Sequence, residues 1–307
     1  MAEDYDYNPG AWKGHDFKSA RAHYDAHAGR SYTKAKAAGK TAASMVPESI
    51  STESTAPLVI MVDVTGSMGS WPATMFSKLP YLDIEGKEYL GPDMEISFAA
   101  NTDLHDAFPL QIRGFKTGTV LKDELESFAI GGGGGPVSGQ EAYELGALYY
   151  AKNCDMPNAV KPIFIFVADE QPHATITPAI AKTAKVDISA DMTIDQVFDA
   201  LKEKFEVFLV HKSYSPASRA EWVRLLGEGN IADLQEPERV VDVIFGILAG
   251  VTGRVDYFKT EIEGRQNAGQ VKTVYKALQT IHNLPAKVPG KSTMHKPSTG
   301  KASKSLL

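Results

Sequence analysis

From Leu58 onward, short continuous apolar runs alternate with longer segments whose apolar residues recur at helical spacing. The apolar runs predict strands at 58–63, 94–101, 109–115, 162–169, 205–211 and 230–234. The longer segments predict helices at 71–82, 120–130, 140–152, 193–204, 218–227 and 237–250. This alternation is typical of βαβ units, so we expect a mainly parallel sheet covered by helices on both faces.

The third predicted strand follows the second after only a short polar turn, and it contains Pro109. Parallel neighbours need a long crossover, and proline is tolerated at sheet edges. We therefore expect this strand to be an antiparallel edge strand. The predicted fold class is α/β, with a doubly wound, mostly parallel sheet and one antiparallel edge strand.

Composition divides the chain into four regions. Residues 1–55 form an extended N-terminal arm with scattered aromatic residues, which either lies over its own domain or docks on a neighbouring subunit. Residues 56–252 form the α/β domain. Residues 253–284 carry helical spacing and form a C-terminal helical extension, for which packing on its own sheet is favoured over binding a partner. Residues 285–307 contain five lysines and no acidic residue; we expect a disordered basic tail, with weak polyanion binding as the alternative.

Charge and cysteine content narrow the function classes. The formal net charge of the 307 residues is -6, which argues against a nucleic-acid-binding protein. Cys154 is the only cysteine, so an internal disulfide is excluded and a reducing, cytoplasmic location is expected. The acidic N-terminus does not resemble a secretory signal, and the apolar runs are shorter than the roughly 20 residues that span a bilayer. We expect no membrane association.

Polar residues follow the first predicted strand at alternate positions. Asp63, Thr65 and Ser67 offer only oxygen ligands, and Gly66 allows a tight turn that brings them together. The fourth predicted strand also ends in a carboxylate, that of Asp169. Because the carboxyl ends of neighbouring parallel strands meet at one crevice, these side chains are expected to converge on a hard cation such as Mg²⁺.

Five consecutive glycines, at 131–135, precede the helix predicted at 140–152. Glycines let the backbone approach an ion closely or adopt positive φ angles. Phosphate binding is the competing interpretation. However, no Lys-Ser or Lys-Thr follows these glycines, and their spacing does not match the dinucleotide-binding pattern, so nucleotide binding is disfavoured.

Together these motifs resemble the von Willebrand factor A (vWA) family over the α/β domain. The family carries a metal-ion-dependent adhesion site (MIDAS) with the pattern Asp-x-Ser-x-Ser, a later Thr or Ser, and a later Asp. Asp63 and Ser67 match the first motif, Thr65 keeps the oxygen of its first serine, and Asp169 matches the last position. Ser138 is the candidate for the middle hydroxyl. The resemblance implies a Rossmann-like fold and a bound Mg²⁺, with Mn²⁺ or Ca²⁺ as alternatives.

The resemblance also implies a function. Family members hold Mg²⁺ with few protein carboxylates, and an acidic side chain of a partner protein completes its coordination. Intracellular members often act as adaptors in multiprotein assemblies, frequently beside AAA+ ATPases. We therefore expect an intracellular, metal-dependent protein-interaction module rather than an enzyme.

Two other function classes stay open. A metal-dependent hydrolase or phosphotransferase would use Asp63 as nucleophile, but Thr65 stands where haloacid-dehalogenase-like phosphatases carry a second aspartate, so the general acid is missing. The other class is structural. The aromatic arm and the C-terminal extension would then make the chain a repeating subunit of a large particle, such as a phage or phage-like assembly, which self-assembles through the arm.

Three further polar residues lie near the predicted site. Asp103 follows the second predicted strand, where it either hydrogen-bonds a water on the metal or caps a turn. Glu170 and His173 follow Asp169 closely. Since no His-Glu-x-x-His zinc pattern is present, neither is given a catalytic role.

Overall fold

The computed structural model describes residues 39–78, 81–118, 120–129, 139–282 and 284. The first 38 residues of the predicted arm, the five-glycine run with Ser138, and the predicted basic tail lie outside the described residues.

The central sheet of the described chain has six strands. They are β1 Pro57–Asp63, β2 Glu95–Asn101, β3 Leu110–Ile112, β4 Ile163–Ala168, β5 Glu206–His211 and β6 Ile231–Asp233. Their order across the sheet is β6-β5-β4-β1-β2-β3, and β2 and β3 are antiparallel whereas the other neighbouring pairs are parallel. The predicted α/β class, mostly parallel sheet and antiparallel edge strand are confirmed.

Helices connect and flank these strands. They are α1 Trp71–Lys78, α2 Leu82–Leu90, α3 Val120–Glu126, α4 Tyr143–Asn153, α5 Pro178–Ala181, α6 Ile194–Lys202, α7 Pro216–Leu226, α8 Val240–Thr252, α9 Val255–Arg265 and α10 Ala268–Ala277. Single 3₁₀ turns lie at Ala42–Met45, Gly66–Met68, Lys182–Ala184, Glu228–Asn230 and Pro237–Arg239. Two-residue strand pairs join Ile50–Ser51 to Cys154–Asp155, Thr175–Ile176 to Met192–Thr193, and Gln140–Glu141 to Gln171–Pro172.

The sheet separates two apolar core clusters, which explains why its central strands read as continuous apolar runs. In β1, Leu58, Ile60 and Val62 join one cluster, whereas Val59 and Met61 join the other. The first cluster also contains residues of α1, α2, α3, α8, α9 and α10, and the second contains residues of α4, α5, α6 and α7. Helices therefore cover both faces of the sheet, as a doubly wound fold requires.

The helix predicted at 71–82 is wrong in extent, because the chain forms two helices in this region. α1 ends at Lys78, and α2 begins at Leu82. Pro80 lies between them in the sequence, and proline removes a helical hydrogen bond and clashes with the preceding turn. α2 ends at Leu90 and is followed by Gly91, whose φ of +102° favours glycine.

Segments on either side of the predicted domain also contact it. In the described part of the predicted arm, Met45, Val46 and Ile50 are buried. At the other end, residues of α9 and α10 share the core cluster that contains α8. The described residues include no helix whose length and apolar character would let it cross a membrane.

Candidate metal centre

Four of the five predicted metal ligands lie at the carboxyl ends of β1 and β4, the two strands between which the strand order reverses. In open α/β sheets, ligands bind beyond the carboxyl ends of the strands at this topological switch point. Val62 of β1 pairs with Val167 of β4, so the loops after both strands begin side by side. The sheet register therefore places Asp63 close to Asp169.

Asp63 is fully buried, and both of its carboxylate oxygens accept hydrogen bonds from the protein. Oδ1 accepts from the backbone N–H of Thr65 at 2.8 Å and from its hydroxyl at 2.6 Å. Oδ2 accepts from the hydroxyl of Tyr143, which belongs to α4. An aspartate that bonds the backbone two residues ahead makes an Asx-type turn, and here the turn fixes the Thr65 hydroxyl beside Asp63.

Ser67 connects this turn to the loop after β4. Its hydroxyl lies 3.0 Å from the Thr65 hydroxyl and donates to Oδ1 of Asp169 at 3.2 Å. The 3₁₀ turn that contains Ser67 ends at Met68 and is followed by Gly69, where a φ of +58° favours glycine. The structure thus brings together four of the five predicted site residues: Asp63, Thr65, Ser67 and Asp169.

Ser138, the fifth predicted site residue, lies outside the described residues. The chain directly after it is described, and Gln140–Glu141 pairs in parallel with Gln171–Pro172. The backbone N–H of Ala142 also donates to the carbonyl of Thr102 at 3.1 Å. Backbone hydrogen bonds therefore hold residues 140–142, which follow the glycine run, between the loops after β2 and β4.

A lysine that sequence reasoning did not place in the site contacts two of the four residues. Lys212 follows β5, and its ammonium nitrogen lies 2.5 Å from the backbone carbonyl oxygen of Ser67 and 3.1 Å from Oδ2 of Asp169. Its side chain is 21% exposed, whereas that of Asp169 is fully buried. Lys212 therefore supplies a positive charge at the inner edge of the site.

Two buried residues of α7 fix the backbone of the loop after β4. The hydroxyl of Ser218 donates to the carbonyl of Asp169 at 2.6 Å, and the indole N–H of Trp222 donates to the carbonyl of Glu170 at 2.7 Å. Both side chains are buried. These bonds hold the Asp169 backbone in place while its carboxylate points at Ser67 and Lys212.

The carboxylates of the site are crowded in a buried environment. Burial and the negative charge of Asp169 raise the pKa of Asp63 to about 7, although hydrogen bonds from Thr65 and Tyr143 lower it. Burial also raises the pKa of Glu141 to about 10, and the charge of Asp63 adds to this rise. A cation bound between these groups would stabilise their charged forms, because opposite charge favours ionisation.

Some polar atoms beside Asp63 have no hydrogen-bond partner among the described residues. They are Oδ1 and Nδ2 of Asn101, which is fully buried, and Oε2 of Glu141. Asn101 is the sheet partner of Asp63. Buried polar atoms without a partner are rare in native proteins, and they often mark the place of an ion or a bound water.

The donors of the site suit a small, hard divalent cation. Two carboxylates and two hydroxyls converge, and Mg²⁺ typically binds one or two carboxylates and keeps several waters. In the part of the chain that the structure describes, no group of three or more His, Cys, Asp or Glu side chains is arranged to hold a metal ion.

His173 lies between two acidic residues beside the site. Its Nδ1 is 3.1 Å from Oε1 of Glu144, and its Nε2 is 3.4 Å from Oδ1 of Asp103. Burial lowers the pKa of His173, but the hydrogen bond and the charge of Glu144 outweigh this effect and raise it. Asp103 also accepts the backbone N–H of Leu104 at 2.6 Å through its carboxylate, and that of Asp106 at 3.0 Å through its backbone carbonyl.

Sequence reasoning missed four residues that support the site: Tyr143, Lys212, Ser218 and Trp222. Lys212 could have been predicted from the sequence, because it directly follows the fifth predicted strand and thus lies at the same edge of the sheet. The other three lie in helices, and the sequence does not specify how a helix is rotated against the sheet.

The comparisons with known proteins found similar structures but no match in sequence. No protein-family model matches the sequence, and no curated protein matches it. The chain is similar to the pilus adhesin SpaC from Lactobacillus rhamnosus GG, with a TM-score of 0.45, 10% identity, and coverage of 67% of this chain and 32% of the adhesin. It is also similar to proximal thread matrix protein 1 from the mussel byssus, with a TM-score of 0.43, 12% identity, and coverage of 64% and 48%.

A third similar structure is a von Willebrand factor type A protein from Catenulispora acidiphila. The TM-score is 0.41 at 15% identity, and the match covers 65% of this chain and 43% of that protein. The matched region therefore spans less than half the length of each of these three proteins.

Proposed function

We propose that this chain is a protein-interaction module of the vWA type that binds through a divalent metal ion. One observation carries the proposal: hydrogen bonds join Asp63, Thr65, Ser67 and Asp169 at the topological switch point of the sheet. Ser67 and Asp169 are 102 positions apart in the chain. Residues that match the MIDAS pattern in sequence thus meet in space at the position where such folds bind ligands.

In this proposal, the hydroxyls of Thr65 and Ser67 bind Mg²⁺ directly or through water, together with Asp63 and Asp169. Ser138 supplies the middle hydroxyl of the pattern. When bound, the ion supplies an electrophilic centre with positions open to exchange. Mg²⁺ keeps waters in such positions, and an acidic side chain of a partner protein can replace one of them.

Binding rather than catalysis is the proposed activity, because Asp63 is poorly placed to act as a nucleophile. Its side chain is fully buried, and Thr65 and Tyr143 donate hydrogen bonds to its two oxygens. A nucleophilic carboxylate must reach its substrate, whereas a metal ligand must be held rigidly. The contacts of Asp63 favour the second role.

We extend the proposal to an adaptor role in an intracellular multiprotein assembly, with an AAA+ ATPase as one class of partner. The single, buried Cys154 supports a protein of a reducing compartment. A repeating subunit of a large particle is the alternative. Light scattering of the purified chain separates the two, because only the second requires a large homogeneous assembly.

Calorimetric titration of the metal-stripped full chain with MgCl₂ tests the metal site. We expect the wild type to bind Mg²⁺, and Asp63→Ala and Asp169→Ala to lose binding while keeping the circular dichroism of the wild type. Asp155→Ala is the control, because Asp155 is exposed and follows α4 in a two-residue strand outside the central sheet. Unchanged affinity in both site variants would exclude the proposed ligands.

Partner binding through the metal is tested by affinity purification from the native source. We expect at least one protein to be retained in Mg²⁺ by the wild type and by Asp155→Ala, and to be lost with Asp63→Ala or with a chelator. A partner that remains bound under both conditions would argue against metal-mediated recognition.

A further inference from the structure

The sheet register places Lys212 beside the loops that follow β1 and β4. His211, the last residue of β5, pairs with Ala168, the last residue of β4, and the backbone N–H of Lys212 donates to the carbonyl of Ala168 at 2.9 Å. Lys212 and Asp169 are therefore the next residues on two adjacent strands. From this position the lysine side chain reaches both Asp169 and the carbonyl of Ser67.

We propose that Lys212 is a resident cation of the site, which neutralises Asp169 in the metal-free protein and competes with the divalent ion for it. This inference rests on the proposed function, since it concerns the affinity of the same site for metal. It assigns Lys212 the role of an affinity-setting residue rather than a ligand.

The contacts of Lys212 are those of a counter-ion. It binds one carboxylate oxygen of Asp169 and one backbone carbonyl oxygen, and both are groups that a hard cation would also bind. An ammonium group has no acceptor atoms, so it cannot coordinate a metal while it stays protonated. A divalent ion placed against Asp169 would lie close to this charge, and like charges repel strongly where water is scarce.

Lys212 is also able to move aside. Lysine has a long, flexible side chain, and this one is partly exposed at 21%, whereas Asp63 and Asp169 are fully buried. A second carboxylate lies within its electrostatic range. This carboxylate is that of Glu170, the residue after Asp169, and the charge of Lys212 acts on it. If the Lys212 ammonium moved from Asp169 towards Glu170, the negative charge of Glu170 would still compensate its positive charge.

Calorimetric titration with MgCl₂ of the wild type and Lys212→Met tests the competition. We expect Lys212→Met to bind Mg²⁺ at least tenfold more tightly than the wild type. Lys212→Arg keeps the positive charge, so its affinity should stay close to that of the wild type. Equal or weaker binding by Lys212→Met would overturn the proposal, because Lys212 would then be neutral or helpful to the metal.

Lys161→Met is a matched control. Lys161 also contacts one carboxylate and one backbone carbonyl, those of Glu206 at 3.3 Å and Val251 at 3.0 Å. Glu206 begins β5, so this lysine lies at the opposite end of the strand from Lys212. We expect its removal to leave Mg²⁺ affinity unchanged. A gain equal to that of Lys212→Met would mean that general charge, and not competition at the site, sets the affinity.

The outcomes also separate this inference from the proposed function. If the wild type binds Mg²⁺, Asp63→Ala abolishes binding and Lys212→Met changes nothing, the metal site stands and the lysine proposal fails. If neither the wild type nor Lys212→Met binds, both fail. Should metal-free Lys212→Met be unfolded, circular dichroism measured during MgCl₂ addition replaces calorimetry: refolding supports the proposal, and its absence overturns it.

Discussion

Asp63 lies at a fully buried position at the end of β1, where an unpaired charge would be costly. Three donors from two parts of the chain compensate it: the backbone and hydroxyl of Thr65, and the hydroxyl of Tyr143. The Thr65 bonds are local, but Tyr143 comes from α4. The hydrogen bonding of Asp63 therefore depends on how α4 packs against the sheet.

Replacing Tyr143 with phenylalanine removes the donor to Asp63 and keeps the aromatic ring. We expect the free energy of unfolding to fall by about 1–3 kcal/mol, the range for losing a hydrogen bond that leaves a buried partner unsatisfied. Urea denaturation of the metal-free protein, followed by circular dichroism, measures this change.

Tyr149→Phe is the matched control for this substitution. Tyr149 is also fully buried in α4, but its hydroxyl has no hydrogen-bond partner among the described residues. We expect its loss to leave the free energy of unfolding unchanged or to raise it by about 1–3 kcal/mol, since no bond is broken and a buried hydroxyl without a partner is removed. If both variants lost the same stability, the Tyr143 hydroxyl would have no special role at Asp63.

Local motifs in the site were predictable from sequence, whereas long-range contacts were not. Asp63, Thr65 and Ser67 lie within five residues directly after an apolar strand, so strand alternation and turn chemistry suffice to group them. Asp169 was predictable because parallel strands end at one edge. Tyr143 projects from a helix whose rotation depends on packing, and no local pattern encodes such a contact.

At the scale of elements, the strands were predicted more reliably than the helix boundaries. Central strands such as β1 and β4 are buried on both faces, and their continuous apolar runs were visible in the sequence. The helix predicted from residue 140 instead begins at Tyr143, because Gln140–Glu141 forms a short strand with Gln171–Pro172. The position of a helix end depends on such tertiary pairing, and the spacing of apolar residues in the sequence does not reveal it.

A close approach between α8 and the C-terminal chain can be tested through Gly246. A Cβ at this position would lie 2.1 Å from Cδ1 and 3.1 Å from Cγ of Leu278, so the leucine would have to move as a whole. Leu278 is buried. We expect Gly246→Ala to lower the free energy of unfolding by about 1–3 kcal/mol, as overpacking of a core does, measured by urea denaturation.

Gly264→Ala provides the comparison. Gly264 lies in α9, and a Cβ there would meet no atom within 4 Å. Alanine is a better helix former than glycine, so this variant should gain up to about 1 kcal/mol. Opposite signs are thus expected from the same substitution in two helices. A gain in both variants would show that α8 and Leu278 are not tightly packed.

At the scale of the whole molecule, the predicted C-terminal extension shares a core with the α/β domain. Phe258 and Ile262 of α9 and Val274 of α10 are buried in the same apolar cluster as β1 and α8. The backbone N–H of His282 also donates to the carbonyl of Gly229 at 3.1 Å. Apolar burial is the main favourable contribution to folding, so removing this segment would expose a large part of one face of the core.

Truncation tests whether the extension is part of one cooperative unit. We compare a chain that ends at Gly253 with one that ends at Leu284, the last described residue, so the predicted basic tail is absent from both. The longer chain keeps every described contact and should unfold in a single urea transition. The shorter chain should unfold at a much lower urea concentration or fail to fold, because α8 would lose the helices that cover it. Equal midpoints would mean instead that residues 254–284 add little to the domain, and the extension would then be free to serve a partner.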